Sequence, residues 1–374
     1  MTIRRRQARS ETAADERYFV ASQWRMMWRK LTRHRLAVVA AAVLAIAYLV
    51  AAFAEFAAPA AAGTRNNDFI HAPPQRIRFF SEEGLHLRPF VYGLTQTRNM
   101  ETMRREYAVD PSRRHPLRLF VRGDPYELWG VIPSDLHLIG SDEGPVFLLG
   151  ADRLGRDVLS RVIYGARISL SIGLVGVAIS FVLGCLFGGI SGYYGGAADL
   201  VIQRVIEFML SIPTIPLWMA LSAALPPRWP PVRIFFVITV ILAIAGWASL
   251  ARVVRGKLLE LREADFVLAG RIAGHADGAI ITRHLLPSFM SYLIVSVTLS
   301  IPGMILGETA LSFLGLGLRA PVVSWGVLLQ DAQNFRAVAI HPWLLFPALA
   351  VIVTVLMFNF LGDGLRDAAD PYKR

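Results

Sequence analysis

The chain has 374 residues, of which 54% are hydrophobic and only 18% are charged. Its mean hydropathy is +0.46. Soluble domains carry about a quarter of their residues as charged side chains, so this composition favours an integral membrane protein. The single cysteine, Cys185, excludes a disulfide framework and a cysteine-based metal site.

The net charge of +11 is concentrated near the N-terminus, where residues 1–35 hold ten arginines and lysines against three acidic residues. Such a run can bind nucleic acid. Because it directly precedes an apolar segment, we instead predict a cytoplasmic N-terminal segment over 1–35 and no nucleic-acid partner. The long polar leader and the long apolar segment after it predict a retained anchor, not a cleaved signal peptide.

Apolar segments that reach or approach the length of a membrane span recur along the chain. Six spans are predicted, at about residues 36–57, 168–190, 205–225, 234–251, 288–307 and 342–361. The third is expected to be kinked, because Glu207, Pro213 and Pro216 interrupt it near its start. With the N-terminus in the cytoplasm, six crossings return the C-terminus to the same side, together with the basic loop after the fourth span.

Residues 58–151 form a long polar segment between the first two spans, and we predict that it lies outside the membrane on the extracytoplasmic side. Residues 76–80 and 116–121 predict strands, while Glu83-Gly84 and Gly123-Asp124-Pro125 predict turns. We therefore expect a small β-containing insert. A disordered loop is the alternative, and the aromatic content of the segment disfavours it.

Residues 152–163 carry apolar side chains at helical spacing, with Asp152 at the position expected for an N-cap. This pattern predicts a helix that lies along the outer membrane surface before the second span begins.

The chain offers little for catalysis or nucleotide binding. It has no His-Glu-x-x-His pattern and no recognisable Ser-His-Asp arrangement. A phosphate-binding loop needs Gly-Lys followed by Ser or Thr, but Lys257, the only lysine after a glycine, precedes Leu258. We expect a non-catalytic chain without a cofactor or metal of its own, so any nucleotide energy must come from another chain.

An ion-coupled carrier would require ionisable groups deep in the membrane. The middles of the second, fourth, fifth and sixth predicted spans contain none, and we expect Glu55, Glu207 and Glu308 at span edges within reach of water or headgroups. A channel or secondary carrier is therefore the less favoured alternative, and a membrane enzyme is less favoured still.

The second span carries small residues at four-residue intervals, which let helix backbones approach closely. They are Gly176, Ser180, Gly184, Gly188, Gly192 and Gly196. We favour packing against this chain's own helices over contact with a second membrane subunit, and both interpretations stay open.

The polar loop 258–287 has the most specific order of residues in the chain. Helix-forming residues over 258–273 precede Gly274, which predicts a break. Asp277 is expected to cap a second short helix, and Pro287 to stand in the first turn of the fifth span. Small residues around Gly270 and Gly274 predict a shallow surface on which another protein can pack.

This order resembles the signature loop of the permease subunits of ABC importers, which reads Glu-Ala-Ala, three residues, Gly, and later Leu-Pro. Ala269, Gly274 and Leu286-Pro287 match this pattern, while Leu268 stands where glutamate is usual and Gly270 where the second alanine is usual. The resemblance implies that an ATPase subunit is contacted by Leu268, Ala269, Gly270, Arg271, Gly274, His275, Leu286 and Pro287.

The resemblance extends over about residues 145–374. Segments similar to dipeptide and oligopeptide permeases are 149–158, 164–170, 192–196, 312–317, 324–326 and 358–367. The last three are typical of the C-type partner in the peptide and nickel group. The insert at 58–151 is longer than usual for that group.

The resemblance implies an all-α integral membrane protein with the six transmembrane helices of the type I ABC importer permease fold. A first transmembrane helix over 36–57 and a permease domain over 152–374 would then flank the extracytoplasmic insert. The implied partners are a B-type permease subunit, two ATPase subunits that hold ATP and magnesium, an extracytoplasmic solute-binding protein and the lipids of a bacterial inner membrane. Peptides are the expected cargo, with nickel or another small solute as the alternative.

Overall fold

A computed structural model of the chain describes residues 23–81, 84–101, 104–226 and 228–370. The basic residues of segment 1–22 lie outside these ranges. The helices are α1 (Gln23–Arg33), α2 (Arg35–Ala52), α3 (Ala54–Ala57), α4 (Val158–Tyr194), α5 (Gly196–Ser211), α6 (Thr214–Ala223), α7 (Pro231–Leu261), α8 (Asp265–Ile272), α9 (Asp277–Ala279), α10 (Leu286–Ser288), α11 (Met290–Phe313), α12 (Trp325–Leu329), α13 (Phe335–Ile340) and α14 (Phe346–Ala369).

Within the described residues, five helical stretches are long and apolar enough to cross a membrane: α2, α4, α7, α11 and Pro342–Ala369, which contains α14. Helices α5 and α6 together meet the same test but meet at 87°, as a broken span or a re-entrant segment. The bend falls at Ile212 and Pro213, where both residues have extended backbone. The interruption expected at Pro213 is thus present, and it is sharper than a kink.

Helix α4 begins earlier than the predicted second span, and no separate surface helix precedes it. Its N-cap is Asp157, whose carboxylate accepts a hydrogen bond from the Ser160 backbone amide at 2.7 Å. The prediction that Asp152 caps a surface helix is therefore wrong. Asp152 instead holds the preceding loop by accepting from the amides of Leu154 and Arg156, at 2.7 and 3.0 Å.

The small residues of α4 lie against α7, which confirms that they pack internally. A Cβ added to Gly184 would lie 2.8 Å from the Leu250 side chain, and one added to Gly188 would lie 2.6 Å from the Ala251 carbonyl oxygen. The Ser180 hydroxyl donates to a backbone carbonyl of α7 at 3.0 Å. Gly196 is the exception, since it opens α5 and has no such neighbour.

The insert is built of strands β1 (Arg78–Ser81), β2 (Gly84–Arg98), β3 (Arg105–Pro116), β4 (Arg118–Leu128) and β5 (Ile132–Gly140). The first three form an antiparallel sheet, and β4 pairs with β5 as a hairpin. The predicted strands are confirmed, but the turn expected at 123–125 is wrong. These residues form an irregularity inside β4, and there the Asp124 carboxylate accepts from the Ala61 amide and the Thr64 hydroxyl at 3.1 and 2.5 Å. Glu83 lies outside the described residues.

Candidate functional site

The loop 258–287 does not begin as one continuous helix. Helix α7 extends to Leu261, a turn follows, and α8 begins at Asp265, so the single helix expected over 258–273 is wrong. The turn directs Val267 back towards α7, where it is fully buried in one apolar cluster with Val254 and Leu258. A straight helix would have carried Val267 away from this cluster.

Helix α8 ends in a Schellman motif centred on Gly274. The His275 amide donates to the Gly270 carbonyl at 3.1 Å, and the Gly274 amide donates to the Arg271 carbonyl at 3.0 Å. Gly274 has a φ of +76°, and a Cβ added to it would meet no atom within 4 Å. The predicted break is confirmed, and it requires glycine for its backbone conformation and not for space.

In the second half of the loop, Asp277 bonds to the end of α4 and does not cap a helix. Asp277 lies in the first turn of α9, whereas Ala276 occupies the N-cap position, so the expected capping role of Asp277 is wrong. The Asp277 carboxylate accepts from the Tyr193 hydroxyl at 2.8 Å, and the Arg271 guanidinium lies 5.2 Å from the centre of the Tyr193 ring. The last turn of α4 therefore contacts both halves of the loop.

The predicted site residues divide between a buried side and an exposed side. Gly270 is buried and Leu286 half-buried, whereas the exposed ones are Leu268, Ala269, Arg271, Gly274, His275 and Pro287. The exposed side also carries Ile272, which is 89% exposed, and Phe266, which is 41% exposed. Sequence reasoning missed these two residues, although Phe266 and Ile272 stand on the same helix as the matched motif.

Pro287 lies just before the fifth span and not in its first turn. It belongs to α10, and Phe289 separates that short helix from α11 with φ −122° and ψ 25°. Phe289 is buried in the same apolar cluster as Val267 and Leu258. The proline thus helps to end the loop, while the buried Phe289 fixes where the span starts.

A bidentate ion pair ties α5 to α7 next to the loop. Arg255 donates from Nε and Nη2 to the two carboxylate oxygens of Asp199, at 2.5 and 2.6 Å. The Ser191 hydroxyl of α4 donates to the same carboxylate at 2.5 Å. Three helices therefore meet at Asp199, a residue that the sequence analysis did not single out.

Glu308 is fully buried in α11, so the expectation that it reaches water or headgroups is wrong. Its carboxylate accepts hydrogen bonds from the hydroxyls of Ser324, Ser312 and Ser169, at 2.7, 2.8 and 3.2 Å. Ser169 in turn accepts from the amide of Trp325 at 3.1 Å. Glu308 thereby joins α4, α11 and the segment that enters α12.

A cavity of about 290 Å³ lies among α4, α6, α7 and α11. Its lining includes hydroxyl groups from all four helices, contributed by Ser180, Thr214, Ser249, Ser296 and Ser300, beside Trp218. The Trp218 indole nitrogen is buried and has no hydrogen-bond partner among the described residues. The cavity can therefore offer hydrogen bonds without charge to a polar solute.

Comparison with known families gives two matches. Residues 181–374 match the binding-protein-dependent transport system inner membrane component family. Residues 22–74 match the N-terminal transmembrane domain of oligopeptide transport permease C.

Among curated proteins, the dipeptide transport system permease protein DppC of Bacillus subtilis is 41% identical over 226 residues, which cover 60% of this chain and 68% of the relative. The oligopeptide transport system permease protein OppC of Haemophilus influenzae is 42% identical and is covered over 70% of its length, against 60% of this chain.

Among solved structures, an inward-facing form of the MetNI methionine ABC transporter is similar at a TM-score of 0.42 and 18% identity, with 55% of this chain and 95% of that chain covered. The family match covers more than half of this chain, and the dipeptide and oligopeptide permeases share about four residues in ten with it over the matched region. The chain belongs to the binding-protein-dependent transport system inner membrane components, and it is a permease with the type I ABC importer fold.

Proposed function

We propose that this chain is the C-type permease subunit of an ATP-driven importer of peptides. The names of its relatives support peptides as the cargo. The observation that carries the proposed role is the loop 258–287, a glycine-closed helical hairpin with exposed apolar side chains that no described residue covers. In this proposal the exposed side of α8 lies in a groove of an ATPase subunit, and that subunit binds the ATP and magnesium.

The internal contacts of the loop suggest how its movement reaches the membrane. Its underside packs on α7 through Val254 and Leu258, while Asp277 is bonded to Tyr193 at the end of α4. Helices α4 and α7 are themselves in close contact along the α4 glycines. When ATP binding closes the ATPase pair, the loop would move α4 and α7 together and switch the permease between inward-facing and outward-facing states.

The proposed contact is tested by replacing residues on the exposed side. Gly274→Trp and Ile272→Asp should abolish peptide uptake and weaken copurification of the ATPase, while the membrane level of the permease stays normal. Gly270→Trp should act similarly, although Gly270 is buried and this variant also strains the loop. Met100→Asp, an 81%-exposed apolar residue in the insert, is the matched control and should retain the ATPase. Normal uptake by Gly274→Trp and Ile272→Asp at normal membrane levels would refute the coupling role.

We also propose that both termini and the loop 258–287 face the cytoplasm, and that the insert faces the opposite side. The test is labelling of intact cells with a membrane-impermeant thiol reagent. Leu87→Cys, in the insert, should react from outside, whereas Ala273→Cys should react only after the membrane is opened. Reaction of Ala273→Cys in intact cells would refute both the proposed orientation and the proposed ATPase contact.

The insert is proposed to dock the solute-binding protein through its three-stranded sheet. That sheet exposes Phe80, Leu85 and Leu87, which are 68%, 65% and 98% exposed. Exposed apolar clusters on folded proteins often mark protein contacts. Leu87→Asp combined with Phe80→Asp should weaken binding of the solute-binding protein to the assembled transporter, and an unchanged affinity would exclude this surface.

The hydroxyl-lined cavity supports an uncharged polar cargo such as a peptide backbone over a metal ion. Among the described residues that line it, none is ionisable, and nickel in proteins favours ligands such as imidazole. Uptake of labelled peptides and of nickel by the same reconstituted transporter separates the two cargoes. Saturable nickel uptake without peptide uptake would overturn the peptide assignment.

A further inference from the structure

The tip of the β4–β5 hairpin folds back onto the end of the first membrane span. The Trp129 indole nitrogen donates a hydrogen bond to the Ala52 carbonyl oxygen at 2.7 Å. The Trp129 ring lies 5.3 Å from the ring of Phe53, the C-cap residue of α2. Phe120, in β4, lies 6.1 Å from Phe56 in the same way. The hairpin is thus fixed to α2 and α3 at two places.

The length of α2 places this contact near the boundary of the membrane. Its 18 residues rise about 27 Å at 1.5 Å per residue, which is close to the hydrocarbon thickness of about 30 Å. Ala52, the last residue of α2, therefore lies near one edge of the hydrocarbon layer, and Trp129 lies at the same level. This placement holds whichever side of the membrane that edge faces.

The hairpin tip is apolar and exposed at this level. Trp129, Val131 and Ile132 are 54%, 78% and 50% exposed. They continue the outward-facing apolar side of α2, where Ile46 and Leu49 are each 63% exposed. One exposed apolar surface therefore runs from this side of the span, across Phe53, onto the hairpin tip.

We propose that the β4–β5 tip, residues 128–132, is an interfacial membrane anchor that binds phospholipid at the boundary between headgroups and acyl chains. Tryptophan is enriched at that boundary because its ring is apolar and its N–H is polar. The depth is limited, since the open edges of a two-stranded hairpin keep backbone groups that need water and cannot enter the hydrocarbon layer.

The anchor gives the insert a fixed height above the membrane. The three-stranded sheet is joined to the hairpin through residues 116–118, where β3 ends and β4 begins. A hairpin held at the lipid boundary therefore limits how far that sheet can tilt. This inference rests on α2 spanning the membrane and not on the identity of the cargo or on the ATPase contact.

The proposal is tested by spin-label depth measurements on the full-length chain in phospholipid nanodiscs. A nitroxide on Val131→Cys should collide with dissolved oxygen several-fold more than with a water-soluble nickel chelate. A nitroxide on Leu87→Cys, the matched control in the insert sheet, should show the opposite preference. The unsubstituted chain serves as the blank, because its single cysteine, Cys185, is buried.

Two results would overturn the lipid assignment. A Val131→Cys label that prefers the nickel chelate as Leu87→Cys does would place the tip in water. A label shielded from both reagents would mean that a protein, such as a second permease subunit, covers the tip. A second measurement does not depend on labelling: brominated phospholipids should quench the unsubstituted chain more strongly than Trp129→Phe, and equal quenching of the two would also overturn the proposal.

Discussion

Replacement of Glu308 by alanine should destabilise the protein far more than replacement of Glu207, although both are glutamates in apolar helices. Glu308 is completely buried and accepts from three serine hydroxyls. The Glu207 side chain is 55% exposed and forms a surface ion pair with Arg204. The comparison therefore separates a buried polar network from a solvated charge on the same type of helix.

The expected loss can be worked out from the network. Each serine that donates to Glu308 also accepts a backbone amide, from Trp325, Leu318 and Val327 at 3.1, 3.0 and 3.2 Å. A buried donor left without an acceptor costs about 1 kcal/mol at the lower end of the usual range, so the three hydroxyls contribute about 3 kcal/mol. The cavity left by the shortened side chain adds about 2 kcal/mol. Glu308→Ala should thus lose about 5 kcal/mol, and Glu308→Gln about 1 kcal/mol because its amide oxygen still accepts.

The assay uses the one cysteine of the chain. Cys185 is buried, so a thiol-reactive fluorophore reports unfolding of the detergent-solubilised protein as denaturant is added. We expect the order of stability Glu207→Ala, then Glu308→Gln, then Glu308→Ala, with Glu207→Ala within about 1 kcal/mol of the unsubstituted protein. If Glu308→Ala unfolds at the same denaturant concentration as Glu207→Ala, the network does not hold α4, α11 and α12 together.

Three further predictions use the same assay. Gly274→Ala should lose about 1–2 kcal/mol because its φ is +76°, whereas Gly256→Ala, inside α7 with no atom near the added Cβ, should gain up to about 1 kcal/mol. Arg161→Met should lose about 3–5 kcal/mol by leaving buried Asp152 without one of its two arginine partners. Burial lowers the pKa of His341 to about 4, so the contribution of the neutral side chain to folding stability is full above about pH 6.5 and is lost as the pH falls towards 4. The stability of His341→Phe should therefore fall less between pH 7 and pH 5 than that of the unsubstituted protein.

The spans were predictable from sequence because lipid contact demands a long apolar run. Their ends were not, since a helix continues wherever capping and packing satisfy its backbone. Helix α4 has 37 residues and is about 55 Å long, which exceeds the thickness of the membrane. Its start is set by Asp157, which forms the N-cap predicted for Asp152. Hydropathy carries no information on which of the two carboxylates caps the helix.

In the candidate site, too, some features were predictable from the sequence and others were not. The position of Gly274 was predictable because a left-handed helix end favours glycine. The hydrogen-bond partners of Asp277 and Glu308 were not predictable, because they are distant in the sequence. Tyr193 lies 84 residues before Asp277, and Ser169 lies 139 residues before Glu308. Serine at 169 and tyrosine at 193 are ordinary in an apolar helix, and only the packing of α4 against its neighbours brings them to those carboxylates.

The arrangement makes α4 the element that links the two ends of the permease. At one end Tyr193 is bonded to Asp277 of the loop, and at the other Ser169 is bonded to Glu308 and Trp325. Between them, the close contacts of Gly184 and Gly188 with α7 hold the two helices together. In the proposed mechanism, a displacement of the loop would move α4 and α7 as a pair, since bending either one would separate these close contacts. The buried network at Glu308 would then connect that movement to α11 and to the start of α12.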